Sequence, residues 1–140
     1  DLGIPPNVIV FEILERDAIG DMTHMRKFLS DLRKKGFLFA LDDFGSGYNS
    51  FHYLRELEFD FVKIDGAFIR GIEHSKTDEA LVRNLARLCH DLGIQTVAEF
   101  VESQSLLEHL RALGVTHAQG YYIGLPRPDI LLFADKTVGR

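Results

Sequence analysis

The chain has 140 residues, 46% of them hydrophobic, and a formal net charge of -5. That length corresponds to about one domain, and the apolar content is ample for a packed core. The acidic balance argues against a protein that coats a nucleic-acid polymer. No apolar run approaches the roughly 20 residues that span a bilayer, and no basic-then-apolar leader opens the chain. We therefore expect a soluble, globular domain.

The first residue and the cysteine count bear on the parent protein. The chain begins at Asp1 without a methionine, so we expect a segment excised from a longer protein. Cys89 has no second cysteine with which to form a disulfide, and this fits a reducing cytoplasm. We expect a cytoplasmic location for the segment, and a membrane anchor elsewhere in the parent is compatible with it.

Strand signals alternate with helix signals in chain order, as in repeated strand–helix units. The apolar runs that predict strands are Val8–Phe11, Phe37–Leu41, Phe61–Val62, Thr96–Ala98 and Thr116–Ala118. Three longer helices are predicted between polar caps and glycine stops: Asp21 with Gly36, Ser75 or Thr77 with Gly93, and Ser103 with Gly114. The second of these is expected to bury Leu81, Val82, Leu85, Leu88, Cys89 and Leu92, and a shorter helix is predicted within Phe51–Leu57.

Five strands are too few to close the usual eight-stranded barrel of strand–helix units. The sequence therefore predicts either an open parallel sheet or a barrel of which part is missing. No linker, low-complexity tract or internal repeat divides the chain, so residues 1–140 are expected to form one folding unit.

A charged or amide side chain stands at the end of every predicted strand. An unpaired charge in a parallel sheet covered on both faces costs roughly 3–5 kcal/mol, so something must offset that cost. In strand–helix barrels the active site lies at the carboxyl ends of the strands. The pattern therefore predicts a catalytic or ligand-binding mouth, formed by Glu12, Asp42 with Asp43, Lys63 with Asp65, Glu99 and Gln119.

The adjacent acids Asp42 and Asp43, followed by Gly45 and Gly47, are the centre of the predicted chemistry. Two carboxylates at one strand end can each reach a hard cation such as Mg²⁺ or Mn²⁺, while the glycines allow a tight loop. A turn or helix cap explains the same residues without any metal. Glu12 and Glu99 favour the metal hypothesis, because carboxylates that converge on one cavity repel each other unless cations are bound.

Lys63 and Gln119 complete the predicted site, each with a structural alternative. The Lys63 ammonium could orient a water or stabilise charge on a phosphoryl oxygen, or it could simply pair with an acid such as Asp65. The Gln119 amide could bond a base or a phosphate, or it could be an ordinary residue at the end of a strand.

At these residues the chain resembles the EAL-domain family of bacterial cyclic-di-GMP phosphodiesterases. The resemblance is carried in order by Glu12-Ile13-Leu14-Glu15, Asp42-Asp43-Phe44-Gly45-Ser46-Gly47-Tyr48, Lys63-Ile64-Asp65, Ala98-Glu99-Phe100-Val101-Glu102, and Gln119-Gly120-Tyr121 with Pro126. It implies a (β/α)8 TIM-type barrel that uses two ions, Mg²⁺ or Mn²⁺, to hydrolyse cyclic-di-GMP to linear pGpG. A GGDEF or sensor domain in the parent chain is compatible with it.

The resemblance also implies a role for each matching residue. Glu12, Asp42, Asp43 and Glu99 would bind metal or metal-held water, and Lys63 and Glu99 would be catalytic. Gln119 and Asp65 would contact the substrate, and Glu15 and Glu102 would steady loops, Glu15 the one from Asp43 to Ser50.

Two departures from the family pattern shape the prediction. The namesake Glu-Ala-Leu segment and a later strand with a metal-binding asparagine are absent, so the chain matches the C-terminal portion of the domain and lacks its first strands. We therefore expect the isolated chain to be inactive or weakened, and to associate as a homodimer or swapped oligomer through an open strand edge. Phe100 stands where the family has glycine. The alternatives are an inactive cyclic-di-GMP receptor, a protein-interaction module or a purely structural assembly module.

Overall fold

A computed structural model of the chain describes residues 3–45 and 51–127. Each strand but the last is followed by one or two helices, and a 3₁₀ turn at Pro6–Val8 precedes the first strand. The strands in the described residues are β1 (Val10–Leu14), β2 (Leu38–Phe44), β3 (Phe61–Ile64), β4 (Gln95–Ala98) and β5 (His117–Ala118). The helices in the same residues are α1 (Glu15–Gly20), α2 (Met22–Arg33), α3 (His52–Glu56), α4 (Gly66–Gly71), α5 (Lys76–Asp91) and α6 (Gln104–Ala112).

All five strands form one parallel sheet in chain order, β1-β2-β3-β4-β5. Leu14 lies opposite Asp42, and Ile64 lies opposite Ala98. This register brings the carboxyl ends of the strands to one edge of the sheet, where the residues that follow them can meet. The predicted parallel α/β architecture is confirmed.

The structure corrects the position of Glu12, which lies in the middle of β1 rather than after its end. Val8, predicted as the start of the strand, belongs instead to the 3₁₀ turn. Pro5 and Pro6 have no backbone N–H to offer a neighbouring strand, and Pro6 favours the first position of a helical turn, so pairing begins two residues later than predicted.

The three polar caps predicted for the longer helices are confirmed, with Ser75 rather than Thr77 at the start of α5. Each cap satisfies a backbone donor of the first helical turn that has no partner within the helix. The hydrogen bonds, each 3.1 Å long, run from the N–H groups of His24, Asp78 and Leu106 to the side chains of Asp21, Ser75 and Ser103. None of the described helices is long and apolar enough to cross a bilayer.

The core lies between the sheet and the helices, and Phe39, Leu41 and Val62 are fully buried in it. Two predicted core residues are corrected, because Leu81 and Leu92 are both 49% exposed. Leu92 follows the end of α5. Leu81 lies about 100° around the helix axis from the buried Val82, so it does not share the buried face of the helix. The fully buried residues of α5 are Val82, Ala86 and Cys89, spaced by four and three.

The edge strand β1 is largely exposed. Within the described residues β1 pairs with β2 alone, and its apolar residues Val10 and Phe11 are both exposed. An uncovered strand of this kind can pair with another strand. The expected association through this edge stays a prediction.

Candidate active site

Lys63 lies at the centre of the carboxyl edge with its side chain only 8% exposed. Its Nζ atom lies 2.9 Å from Glu12 Oε1, 2.9 Å from Glu99 Oε1 and 3.8 Å from Asp42 Oδ1. The ammonium therefore joins acids from three different strands or strand ends. The salt bridge to a neighbouring acid that was the structural alternative is thus present, with Glu12 and Glu99 rather than Asp65 as the 2.9 Å partners, and the catalytic role of Lys63 stays a prediction.

Strand alternation explains why these side chains meet. Successive residues of a strand point to opposite faces of the sheet. Ile13 and Val62 belong to the core under the helices, so the residue beside each of them, Glu12 and Lys63, points to the other face. The alternation along β1 and β3 thus places the apolar side chains of Ile13 and Val62 in the core, and the charged side chains of Glu12 and Lys63 on the opposite face of the sheet.

A second group of acids lies beside the lysine. Asp42, Asp43 and Glu99 each offer a carboxylate oxygen, and these oxygens lie within 4.8 Å of one another. Such a set of hard oxygen donors fits Mg²⁺ or Mn²⁺. Glu12 is not a member of this group, and its side chain is 51% exposed beside Lys63. Its predicted role as a metal ligand stays a prediction.

The charges of the site shift the pKa of three groups. Burial raises the pKa of Glu99; the hydrogen bond and charge of Lys63 lower it in part, and the charges of Asp42 and Asp43 raise it further. Burial also raises the pKa of Asp43, with further contributions from Asp42 and Asp65. For Lys63, burial acts to lower the pKa, but the hydrogen bonds to Glu12 and Glu99 outweigh it and raise the pKa. The lysine is therefore a permanent cation, and the two acids are held where their ionised forms are disfavoured without a further positive charge.

Glu15 contacts described residues on both sides of residues 46–50, and its predicted loop-steadying role stays a prediction. The side chain is buried, and its Oε2 accepts the backbone N–H of Gly45 at 3.2 Å. Its Oε1 accepts the hydroxyl of Tyr53, and burial with this bond raises the pKa of Tyr53. Both ends of the segment after Asp43 are thus fastened to one carboxylate, while residues 46–50, including the predicted Ser46, Gly47 and Ser50, lie outside the described residues.

Sequence reasoning missed Tyr53. The apolar spacing of Leu54 and Leu57 marked the buried side of α3, and Tyr53, which is also buried, lies next to it. The sequence of α3, His-Tyr-Leu-Arg-Glu, gives no local signal of the bond, because the acceptor of the Tyr53 hydroxyl lies 38 residues earlier in the chain.

Asp65, Gln119 and Glu102 lie around the same edge. Asp65 caps α4 by accepting the N–H of Ala67 at 2.7 Å, so a structural role accounts for it as it stands. Gln119 donates its N–H to the carbonyl of Ala98 at 2.8 Å, and this bond extends the pairing of β4 with β5. Gln119 and Glu102 both line a cavity of about 330 Å³ next to Glu99. The predicted substrate-binding and loop-steadying roles of these three residues stay predictions.

Phe100 and Arg70 form the other wall of that cavity. Phe100 has a left-handed backbone with φ 59°, and its ring lies against Gly66 at the start of α4. The guanidinium carbon of Arg70 lies 5.0 Å from the ring centroid. Arg70 was not singled out from the sequence, although it follows Gly66 by four residues and so projects from the same side of α4.

Comparison with known proteins identifies the family to which the chain belongs. The model of the EAL domain matches residues 1–126. The chain belongs to the EAL-domain family. The cyclic di-GMP phosphodiesterase PdeB of Shewanella oneidensis is 48% identical over 125 residues, which are 89% of this chain and 15% of that protein. The chain therefore spans less than a fifth of this relative's length.

Solved EAL structures give the same result. The PaMucR phosphodiesterase in complex with c-di-GMP superimposes with a TM-score of 0.84 at 34% identity, covering 89% of this chain and 51% of that one. The bifunctional diguanylate cyclase/cyclic di-GMP phosphodiesterase MucR of Pseudomonas aeruginosa is 34% identical over 132 residues, which are 94% of this chain and 19% of that protein. A manganese/cy-diGMP complex of BlrP1 from Klebsiella pneumoniae gives a TM-score of 0.80 at 36% identity, covering 85% of this chain and 30% of that one. The predicted family is confirmed, and the five-stranded sheet corresponds to part of a TIM-barrel-type domain.

Proposed function

We propose that this chain contributes most of the active site of a metal-dependent phosphodiesterase that hydrolyses cyclic-di-GMP to linear pGpG. The observation that carries the proposal is the group of Asp42, Asp43 and Glu99 carboxylates beside the buried Lys63 ammonium. Relatives named as cyclic di-GMP phosphodiesterases support the substrate and the reaction.

The acidic group is suited to hold two divalent cations, Mg²⁺ or Mn²⁺. Asp42, Asp43 and Glu99 would be ligands on this chain, and Glu12 would join them from β1. Bound ions of this kind activate water and neutralise charge on the phosphate. The raised pKa of Asp43 and of Glu99 favours the proposal, because the ionised form of each acid would be stabilised by a further positive charge nearby.

Lys63 has a distinct part in the proposed reaction. Its ammonium is held at 2.9 Å from both Glu12 and Glu99, so its position is fixed before substrate arrives. A permanent cation there can hold the attacking water by its oxygen and stabilise negative charge that develops on the phosphoryl group. Glu99 contacts Lys63 and belongs to the acidic group, so it would connect the water held by Lys63 with the metal ligands.

Residues 1–140 would form the C-terminal portion of this domain, with the first strands and further metal ligands supplied upstream. We expect the isolated chain to be inactive or much weakened, since five parallel strands do not close an eight-stranded barrel and, within the described residues, β1 pairs with β2 alone. The exposed edge at β1 would lead to a homodimer or a swapped oligomer of the isolated chain. A cytoplasmic location, and a GGDEF or sensor domain in the parent chain, complete the proposal, and the relative named as a bifunctional diguanylate cyclase/cyclic di-GMP phosphodiesterase supports a cyclase partner domain.

The test compares this chain with an extended chain that carries about 100 further upstream residues, a length estimated from barrel size. Hydrolysis of cyclic-di-GMP is measured with Mn²⁺ in both, and light scattering gives their masses. We expect turnover in the extended chain alone and association in the short one. Binding of cyclic-di-GMP without turnover in the extended chain would contradict the enzyme and identify a receptor instead.

A further inference from the structure

Ser30 lies on the exposed side of α2, and cations surround it along the helix. Residues three and four positions apart on a helix are neighbours, with Cβ atoms about 5–6 Å apart. For Ser30 those positions hold Arg26, Lys27, Arg33 and Lys34. Every helical neighbour of this hydroxyl is therefore cationic, in a chain whose formal net charge is -5.

Beside Ser30 lies a cavity of about 370 Å³, between α2 and the segment that joins α3 to β3. The helix lines it with Ser30 and three of the four cations, and the facing wall is formed by Glu56, Leu57 and Glu58. Because Lys34 precedes β2 and Glu58 precedes β3, the cavity lies toward the amino ends of these strands. It is thus separate from the acidic group, which lies at their carboxyl ends.

The two arginines of the cavity are held in place by acids. Arg26 Nη2 donates to Glu56 Oε2 at 2.6 Å, and Arg33 donates to both carboxylate oxygens of Asp60 at 3.0 and 3.2 Å. The Nε atom of Arg33 is buried and, within the described residues, has no hydrogen-bond partner. Its ionic contact with Glu58 Oε2 is 3.4 Å long, and the Glu58 side chain is 83% exposed, so a stronger acceptor can displace it.

Ser30, Lys27 and Lys34 supply further donors. In residues 3–45 and 51–127, no hydrogen bond or ion pair engages the Ser30 hydroxyl or the Lys27 ammonium. Lys34 is 74% exposed, and its contact with Asp31 Oδ1 is 3.8 Å long. A hydroxyl, two mobile ammonium groups and the unsatisfied Nε of Arg33 therefore lie along one side of α2, and together they suit an anion with several acceptor oxygens.

We propose that this cavity binds a phosphate monoester group, held by the Ser30 hydroxyl, Arg33 Nε and the Lys34 ammonium. A monoester carries about -1.5 to -2 charges at pH 7, more than a single carboxylate, so it can replace Glu58 beside Arg33. A phosphodiester carries less charge and should bind more weakly, so the site would not take up cyclic-di-GMP. The monoester can belong to a soluble molecule or to a lipid headgroup. This inference does not depend on the proposed function.

The test uses the metal-free extended chain, in which no metal ion at the acidic group can attract phosphate. Calorimetry gives Kd values for inorganic phosphate and for dimethyl phosphate, and sedimentation measures recruitment to phosphatidylcholine vesicles with and without phosphatidic acid. The variants are Ser30→Ala and the pair Lys27→Gln with Lys34→Gln. The pair Lys76→Gln with Arg87→Gln, at exposed positions of α5, is the control with the same change of charge.

We expect saturable binding of inorganic phosphate and weaker binding of dimethyl phosphate. Lys27→Gln with Lys34→Gln should raise the Kd for phosphate roughly five-fold, while the α5 control keeps the wild-type value. Ser30→Ala should also raise it, and Glu58→Gln should lower it, because the competing carboxylate charge is removed.

Absence of phosphate binding, or equal losses in the two double variants, would overturn the site. Recruitment to phosphatidic acid that is lost in Lys27→Gln with Lys34→Gln, but not in the control, would support it and identify a lipid headgroup as the source. Phosphate binding without recruitment would support it and identify a soluble monoester. Hydrolysis of cyclic-di-GMP by the same proteins with Mn²⁺ tests the proposed function separately.

Discussion

The two ends of the sheet hold left-handed backbone positions in different ways. At the amino-terminal end, the turns into β2, β4 and β5 contain Gly36, Gly93 and Gly114, with φ of 94°, 72° and 91°. At the carboxyl-terminal end, Gly45 has φ of 101°, but two further left-handed positions hold Asp43 and Phe100, with φ of 56° and 59°. A residue with a Cβ costs roughly 1–2 kcal/mol in this conformation. The chain thus avoids strain where the turn serves folding alone, and retains it next to the acidic group.

Asp43→Asn should give the largest effect on the carboxyl-terminal end. Loss of a metal-ligand charge should lower hydrolysis of cyclic-di-GMP by the extended chain at least roughly 100-fold, more than is typical for residues that merely support ligands. The melting temperature should not fall, because the substitution removes a disfavoured charge beside Asp42. Asp91→Asn, at an exposed helix end, is the matched control and should keep full activity. Full activity in Asp43→Asn would contradict the metal site.

Lys63→Met tests the ammonium that compensates the acids. Removing one member of a buried ion pair destabilises strongly, but Glu12 is 51% exposed, so we expect a loss of roughly 2 kcal/mol in the free energy of unfolding at neutral pH. The pKa of Lys63 is raised in the folded state, so this stabilisation is complete below the unfolded value of about 10.4 and is lost only above it. Denaturant unfolding measures the effect, and the exposed pair of Lys34 with Asp31 provides the control Lys34→Met. Equal losses in both variants would refute a buried site.

Tyr53→Phe tests the anchor of the segment after Asp43. The substitution leaves a buried oxygen of Glu15 without the hydroxyl, at a cost of roughly 1–3 kcal/mol in the free energy of unfolding. We also expect slower hydrolysis, because Glu15 holds Gly45 next to the acidic strand end. Tyr122→Phe removes an exposed hydroxyl and should change neither quantity. A stable and fully active Tyr53→Phe would show that the bond to Glu15 has no positioning role.

Gly93→Ala tests the amino-terminal end, where strain should affect stability without affecting activity. The position has open space around it, so the cost is that of the left-handed backbone, about 1 kcal/mol. Gly20→Ala also adds a methyl group to open space, but without a positive φ, and should stabilise α1 slightly. Activity per folded molecule should stay at the wild-type level in both variants. Reduced turnover in Gly93→Ala would contradict the separation of the two ends.

The smallest expected effect is a pH dependence from the raised pKa values of Asp43 and Glu99. Because both acids bind protons more tightly in the folded state, their contribution to stability falls as the pH rises above their ordinary values of 3.8 and 4.5. In the absence of metal, the free energy of unfolding of the double variant Asp43→Asn with Glu99→Gln should therefore increase relative to the wild type as the pH rises above these two values. A difference that stays constant with pH would contradict the assigned shifts.

The sequence predicted those parts of the structure that depend on local patterns. Caps such as Asp21 and Ser103 and the apolar runs of the strands depend on nearby residues, and the structure confirmed them. The limits of β1 were predicted wrongly because a proline turn competed with the strand. Leu81 was wrongly predicted to lie in the core, because helical spacing alone does not say which of two adjacent apolar residues, Leu81 or Val82, faces the sheet.

In the candidate site, too, features that depend on local sequence could be predicted, whereas contacts between distant residues could not. Acids at strand ends were visible as exceptions to an apolar pattern, so Asp42, Asp43 and Glu99 could be grouped from their positions in the sequence. The contact of Tyr53 with Glu15 joins residues 38 positions apart, and nothing in the local sequence indicates it. The same holds for Arg70 over Phe100, since their contact depends on where α4 lies relative to the segment that follows β4.

The most direct test of the account is a titration of the metal-free extended chain with Mn²⁺, monitored by calorimetry. The wild type is compared with the double variant that carries both Asp42→Asn and Asp43→Asn. The account predicts saturable binding in the wild type, and its loss in a double variant that circular dichroism shows to be folded. Equal Mn²⁺ binding by both proteins would contradict the claim that the acidic end of the sheet is a metal site.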